Sequence, residues 1–287
     1  IIAASLTCVS FYLVISLAIF ELRKSRIEEN GKKMELKQTK CKQIENIFSR
    51  GTLCLVAAVF TFFRCLGEQI ELRFGTTSDA ACMIYQHLFV YNYQIPLLAQ
   101  YLLLWTRQRK MYRHRTLRHL TSSTMKFISG SVILGIFLSS FITVVCYFYS
   151  FRLKSSPNGC VYDIIVGNTP SSGVPGLMMF GSAFVFQLLL LGLLVYPLIR
   201  HYHIRCLGSQ QNTGSENVRR TIFRISMCTL VCVMSDCAAS TSMAFLHETE
   251  NPIMFWANMF SLNLIINVIT VTHSFVDWKR RLLPCYR

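Results

Sequence analysis

Apolar residues along this chain gather into seven long runs, not the short alternating patches of a water-soluble domain. The runs cover Ile2–Phe20, Ile47–Glu71, Cys82–Trp105, Phe127–Phe151, Val174–Ile199, Ile222–Leu246 and Pro252–Val276. Most match the roughly 20 residues an α-helix needs to cross the hydrocarbon of a bilayer. Backbone amides and carbonyls find no water there, so a crossing segment must satisfy them internally, as a helix does. The pattern predicts an all-α membrane protein, one seven-transmembrane helix bundle over residues 1–287. Most soluble functions are excluded.

The charge distribution orients the helices. Only 15% of the residues are charged, against about 25% in a typical soluble domain. Of the 29 Lys and Arg residues, nine fall in 21–50, seven in 106–126, five in 200–224 and four in 277–287. Cationic loops stay on the cytoplasmic side, so the loops after helices one, three and five and the tail are expected inside, and the amino terminus outside. A net charge of +15 invites a nucleic-acid reading, but cations sorted by membrane side argue for anionic lipid headgroups and an acidic cytosolic partner instead. No nucleic-acid partner is expected. The chain begins at Ile1 within an apolar run, without Met or a signal-peptide layout, and more sequence is expected ahead of it.

Twelve cysteines divide by that topology. Cys41, Cys206 and Cys285 fall on the reducing side, and seven others lie inside helices, where cysteine serves as a small apolar residue. Cys82, opening helix three, and Cys160, in the loop after helix four, remain as the pair on the oxidising side, where a disulfide persists. No spacing resembles a zinc site. After helix seven, Phe275 to Pro284 mixes apolar and basic residues, the composition of a short amphipathic segment lying on a membrane surface. Cys285 just beyond it is a candidate for palmitoylation.

Ionisable groups at membrane depth cost about 2.5–3.5 kcal/mol each and mark function when they occur. Helix two carries Arg64, Glu68 and Glu71 on one face, with Arg64 and Glu68 spaced to pair within the helix. Helix six carries Asp236, expected to be protonated, hydrogen-bonded or paired with Arg64 across the bundle. Helix seven aligns Trp256, Phe260, Asn263, Asn267, Thr270 and Ser274. Helix three adds His87, Phe89 and Tyr93 above Pro96. Arg64, Glu68, His87, Phe89, Tyr93, Asp236, Trp256 and Asn263 together suggest an aromatic and polar ligand pocket.

Seven helices, an outer amino terminus, a Cys82–Cys160 bridge and a short basic tail resemble the G-protein-coupled receptors. The rhodopsin-like class (class A) has an Asp/Glu-Arg-Tyr motif at the inner end of helix three. Arg107 follows Cys82 by 25 residues, which matches that class and is about 37 Å of helix. The local sequence is Thr106-Arg107-Gln108, so only the arginine is kept. Helix seven reads Asn263-Leu-Ile-Ile-Asn267 where the class has Asn-Pro-x-x-Tyr, helix six lacks Cys-Trp-x-Pro, and helix two lacks its aspartate. The resemblance is to a divergent, loosely rhodopsin-like receptor of no identified subfamily. It implies an extracellular ligand, a heterotrimeric G protein as partner, a plasma-membrane location and no cofactor. Arg107 is expected to act at the cytoplasmic opening, with Arg219, Arg220 and Arg224 of helix six lining it and Tyr196 of helix five reaching Arg107 in an active state. Phe89 stands where amine receptors carry an aspartate, and helix seven has no lysine for retinal.

Two other classes remain open from the residues alone. A transporter or channel would use the same buried ionisable groups, although the repeated halves common in transporters are not evident. A membrane-embedded zinc hydrolase needs several His and Asp residues converging on one metal. His87 and His273 lie at opposite ends of the expected bundle and the other five histidines lie in loops, so an enzyme is not expected.

Overall fold

The computed structural model describes residues 1–32, 50–74, 78–113, 123–157, 159–164, 181, 184–193, 195–196, 199, 214–246, 253–275 and 277–283. Among these residues the chain is mostly helical. The helices are α1 (Ile2–Lys32), α2 (Arg50–Phe74), α3 (Asp79–Arg113), α4 (Ser123–Ser150), α5 (Phe184–Leu193), α6 (Gly214–Leu246), α7 (Ile253–His273) and α8 (Trp278–Leu282). Two strands, β1 (Phe151–Ser156) and β2 (Gly159–Ile164), follow α4.

Three helical stretches, Ile2–Arg26, Gly51–Phe74 and Thr124–Tyr149, are long and apolar enough to cross a membrane. Only 28% of the most apolar part of the first and 22% of the last are buried within the protein. Large apolar side chains such as Phe127, Leu134, Leu138 and Phe141 therefore point outward from α4. An apolar surface on that scale is unusual on a soluble monomer and natural against lipid. α3, α6 and α7 carry polar residues among their apolar ones, and many of these turn inward, Gln86, Asn92, Gln94, Asp236, Asn263 and Asn267 among them.

Several helices outrun the apolar runs that announced them. α1 continues from Phe20 to Lys32 through Glu, Lys and Arg, good helix formers that carry the backbone bonds onward. α3 runs unbroken through Pro96 to Arg113. Apolar runs mark the apolar part of a helix and say little about where its hydrogen bonding stops. For the fifth run the described helix is Phe184–Leu193, inside the expected 174–199.

α2 sits between α1 and α3 and also packs on α7, which packs in turn on α6. One apolar core joins α1, α2, α3, α6 and α7 around Leu17, Ala58, Leu103 and Val268. A second joins α3, α4, α5, α6 and α7 around Tyr101, Ile136, Leu190 and Leu264. α3 belongs to both. Gly51 lets α1 and α2 meet closely, because a Cβ there would lie 1.6 Å from Glu21 Oε1.

The strands form an antiparallel hairpin, Ser156 opposite Gly159 at its tip and Phe151 opposite Ile164 at its base. Cys160 on β2 is joined to Cys82 on α3, as the sequence led us to expect, with their Cα atoms 5.7 Å apart. The hairpin is further tied to the start of α3. Leu153 N–H donates to Gln86 Oε1 at 3.2 Å, and the Ser155 N–H and hydroxyl donate to Asp79 Oδ1 at 2.7 and 3.0 Å.

These two donors, the Ser155 N–H first, hold the Asp79 carboxyl below its ordinary range. Its ionised form is therefore favoured by folding. The tie contributes above the ordinary Asp value of about 3.9 and is lost as pH falls through the lower folded value. Asp79→Ala should remove that acid-range dependence, to be checked by melting both proteins between about pH 5 and pH 2.

Candidate functional site

Buried polar side chains form a seam along the stack, drawn from the faces of α2, α3, α6 and α7 that turn away from the outer apolar surface. Arg64 on α2 is 2% exposed. Its Nε donates to Ser261 Oγ of α7 at 3.1 Å, and one terminal nitrogen donates to the Phe89 carbonyl of α3 at 2.8 Å. The guanidinium carbon lies 3.8 Å from the Phe89 ring centroid and 5.2 Å from that of Tyr93. The Ser261 hydroxyl donates in turn to Glu68 Oε1, while Arg64 Nε and Glu68 Oε1 are 4.0 Å apart. The expected pair within α2 is present, with Ser261 set between its members. Ring faces and hydrogen bonds together offset the cost of removing the guanidinium from water.

Asp236 on α6 is equally enclosed. Its Oδ1 accepts from Asn263 Nδ2 at 2.7 Å and from Asn267 Nδ2 at 2.9 Å, and its Oδ2 accepts from Gln187 Nε2 of α5. Asn263 also receives the Ser235 hydroxyl at 2.6 Å and reaches the Tyr93 hydroxyl at 3.3 Å. Asp236 and Arg64 both face inward as expected, but not as a pair. Arg64 takes Ser261 and Asp236 takes Asn263 and Asn267, so α7 partners each separately. The link between them runs through Tyr93, whose ring lies beside Arg64 and whose hydroxyl meets Asn263.

Arg64, Glu68, Ser261 and Asn263 are almost wholly buried against one another, so these groups form a packed network. His87 is not part of it. It stacks on Phe148 of α4 at 4.6 Å and lies 6.2 Å from Tyr91. His87 precedes Phe89 by two residues, about 200° around a helix with 3.6 residues per turn, and so faces the opposite way. Phe89 meets Phe260 edge-on at 6.4 Å. Trp256 lies in α7, but its side chain is outside the described residues. Sequence reading missed Ser261 and Gln187 as partners. The signal for Gln187 was present, as a lone polar residue in the apolar run of α5.

At the other end of the seam, Arg107 is buried near the end of α3. It donates to Ser274 Oγ, and its guanidinium carbon lies 4.0 Å from the Phe275 ring centroid. Arg281 of α8 lies 4.2 Å from the same ring and 4.4 Å from Phe20. Arg281 also pairs with Asp277 at 3.0 Å and with Glu21 at 3.7 Å. Burial raises the Asp277 carboxyl, but the Arg281 hydrogen bond and charge outweigh it and leave it below its ordinary value. Arg224 of α6 lies 5.9 Å from the Trp278 ring, which also meets His273 at 4.4 Å. Arg107 and Arg224 thus both reach the junction of α7 and α8. Tyr196 is 52% exposed, while Arg107 is engaged by Ser274. The side chains of Arg219 and Arg220, and all of Cys285, lie outside the described residues.

No protein-family model matches the chain, and no curated protein matches it. Among the described residues no group of three or more His, Cys, Asp or Glu side chains could hold a metal ion.

Removing Arg64 alone would leave Glu68 buried without its cation. Arg64→Gln should lower stability by about 3–5 kcal/mol. Glu68→Gln should cost less, because an amide still accepts from Ser261, and the double variant should be more stable than Arg64→Gln alone. Thermal unfolding of the four proteins in one detergent checks the order.

Proposed function

We propose that this chain is a divergent G-protein-coupled receptor of the plasma membrane. In this reading seven helices cross the bilayer, the disulfide end faces outward, and the end bearing Arg107, Arg219, Arg220, Arg224 and α8 faces the cytosol. An extracellular ligand acts on the seam, and a heterotrimeric G protein reads the opposite end. Cys285 adds a lipid anchor beside α8. One observation carries the reading: a single unbroken helix, α3, is pinned to the hairpin by Cys82 and ends with Arg107 buried on α7. A buried cation there has a task beyond anchoring. Anchoring needs only exposed cations at the headgroups, and Arg109 supplies one. The seam gives a shift near Phe89 or Tyr93 a route to Asp236 and α7, and the turn after α7 carries Ser274 and Phe275.

A transporter or channel is the second reading, favoured by the burial of Arg64, Glu68 and Asp236 along one seam. Proton or ion flux through liposomes containing the purified chain separates the two.

The receptor reading expects Arg107→Ala to abolish G-protein coupling while surface expression persists, and Arg113→Ala to be mild. Nucleotide exchange on G proteins, compared at matched surface levels, is the measurement. Equal and mild effects of the two substitutions would remove the role given to Arg107.

A further inference from the structure

A cavity of about 250 Å³ opens between α2 and α3 beside the disulfide. Its walls are of two kinds. Ile70, Phe74 and Ile84 are apolar and well exposed, so one side reaches the protein surface. Gly67, Tyr85 and Cys160 are buried and form its floor. Glu71 lines the same space and is 5% exposed. Its carboxyl is hydrogen-bonded by the Tyr85 side chain and the Cys160 backbone, while one oxygen, Oε2, is buried with no partner of its own. Arg64, two turns away on α2, is committed to Ser261 and the Phe89 carbonyl. With its other contacts made within the chain, Oε2 is the acceptor left open to a donor entering from the cleft.

We infer that this cleft binds a small amphipathic amine, with its ammonium on Glu71 Oε2 and its apolar body along Ile70, Phe74 and Ile84. The open carboxyl oxygen selects a cation, and the apolar wall selects a hydrocarbon attached to it. The volume lies just below the roughly 300–1,000 Å³ of drug-sized sites, which limits the guest to about one ring or a short chain. Gly67 keeps the space open. A Cβ at Gly67 would meet only Tyr85 Cε2, at 4.0 Å, so alanine fits there while a longer side chain fills the cavity. The cleft adjoins the seam, Tyr85 meeting Phe89 at 5.7 Å, and the inference does not depend on the receptor reading.

Binding of 2-phenylethylamine and of its neutral counterpart 2-phenylethanol to the purified full chain, read by calorimetry without a G protein, tests this directly. The amine should bind about tenfold more tightly or better, the preference one charge-assisted hydrogen bond commands. Glu71→Gln should erase the preference. Gly67→Ala should bind as the parent does, and Gly67→Leu should bind neither compound. Equal affinity for amine and alcohol, no binding of either, or binding that survives Gly67→Leu would overturn the inference. So would loss of amine binding when the chain is moved into lipid nanodiscs, since acyl chains would then be the occupant. If Glu71→Gln does not fold, the amine and alcohol comparison and the two Gly67 variants still decide.

Discussion

A charge buried deep among helices must find its partners inside the protein, and here α7 provides them. Ser261 accepts from Arg64 and donates to Glu68, Asn263 and Asn267 hold Asp236, and Ser274 accepts from Arg107. α7 and the turn after it thus serve charged groups on α2, α6 and α3. If lipid surrounds the outer faces, apolar packing between helices gains little from leaving water, and association rests on close contact and polar bonds. Each such bond is modest, about 0.6 kcal/mol on average in one measured membrane protein. Leaving one charge unpartnered costs several times more. The arrangement of α2, α3, α6 and α7 is therefore fixed less by what each bond adds than by what its absence would cost.

The hairpin imposes a separate constraint at one end. The disulfide fixes β2 to α3, while Gln86 and Asp79 hold β1 to the same helix. α3 therefore enters the stack with its first turns clamped on two sides. Since α3 also contributes to both apolar cores, any rotation about its own axis would disturb each of them together. Pro96 removes one backbone donor within this helix, which makes the middle of α3 the natural place for bending.

Much of this was legible from residue types. Apolar runs located the helices because so long an apolar stretch satisfies its backbone most readily within itself, as a helix does. The Cys82–Cys160 bridge followed from compartment and position. Arg64, Glu68 and Asp236 were recognisable as inward-facing, since no other direction is tolerable at that depth. Their partners were not legible, because pairing depends on how helices are rotated and staggered, which no single helix encodes. Arg64 and Asp236 looked complementary by charge, yet neutral serine and asparagine side chains on α7 stand closer to each. His87 was misplaced for the same reason, as its angle around α3 relative to Phe89 decides its neighbours. The hairpin was missed although Pro157-Asn158-Gly159 carries typical turn residues, because the apolar run of α4 was read on through Phe151.

Phe275 holds a further consequence. Its ring meets Arg107 from α3 and Arg281 from α8, and Arg281 also touches Phe20 and Glu21 of α1. Three segments distant in sequence thus share a single aromatic hinge pin. Withdrawing either guanidinium would expose a ring face and free the other arginine's neighbours to shift. The tail beyond α7 is therefore tied to α3 through one ring, and to α1 through Phe20 and Glu21.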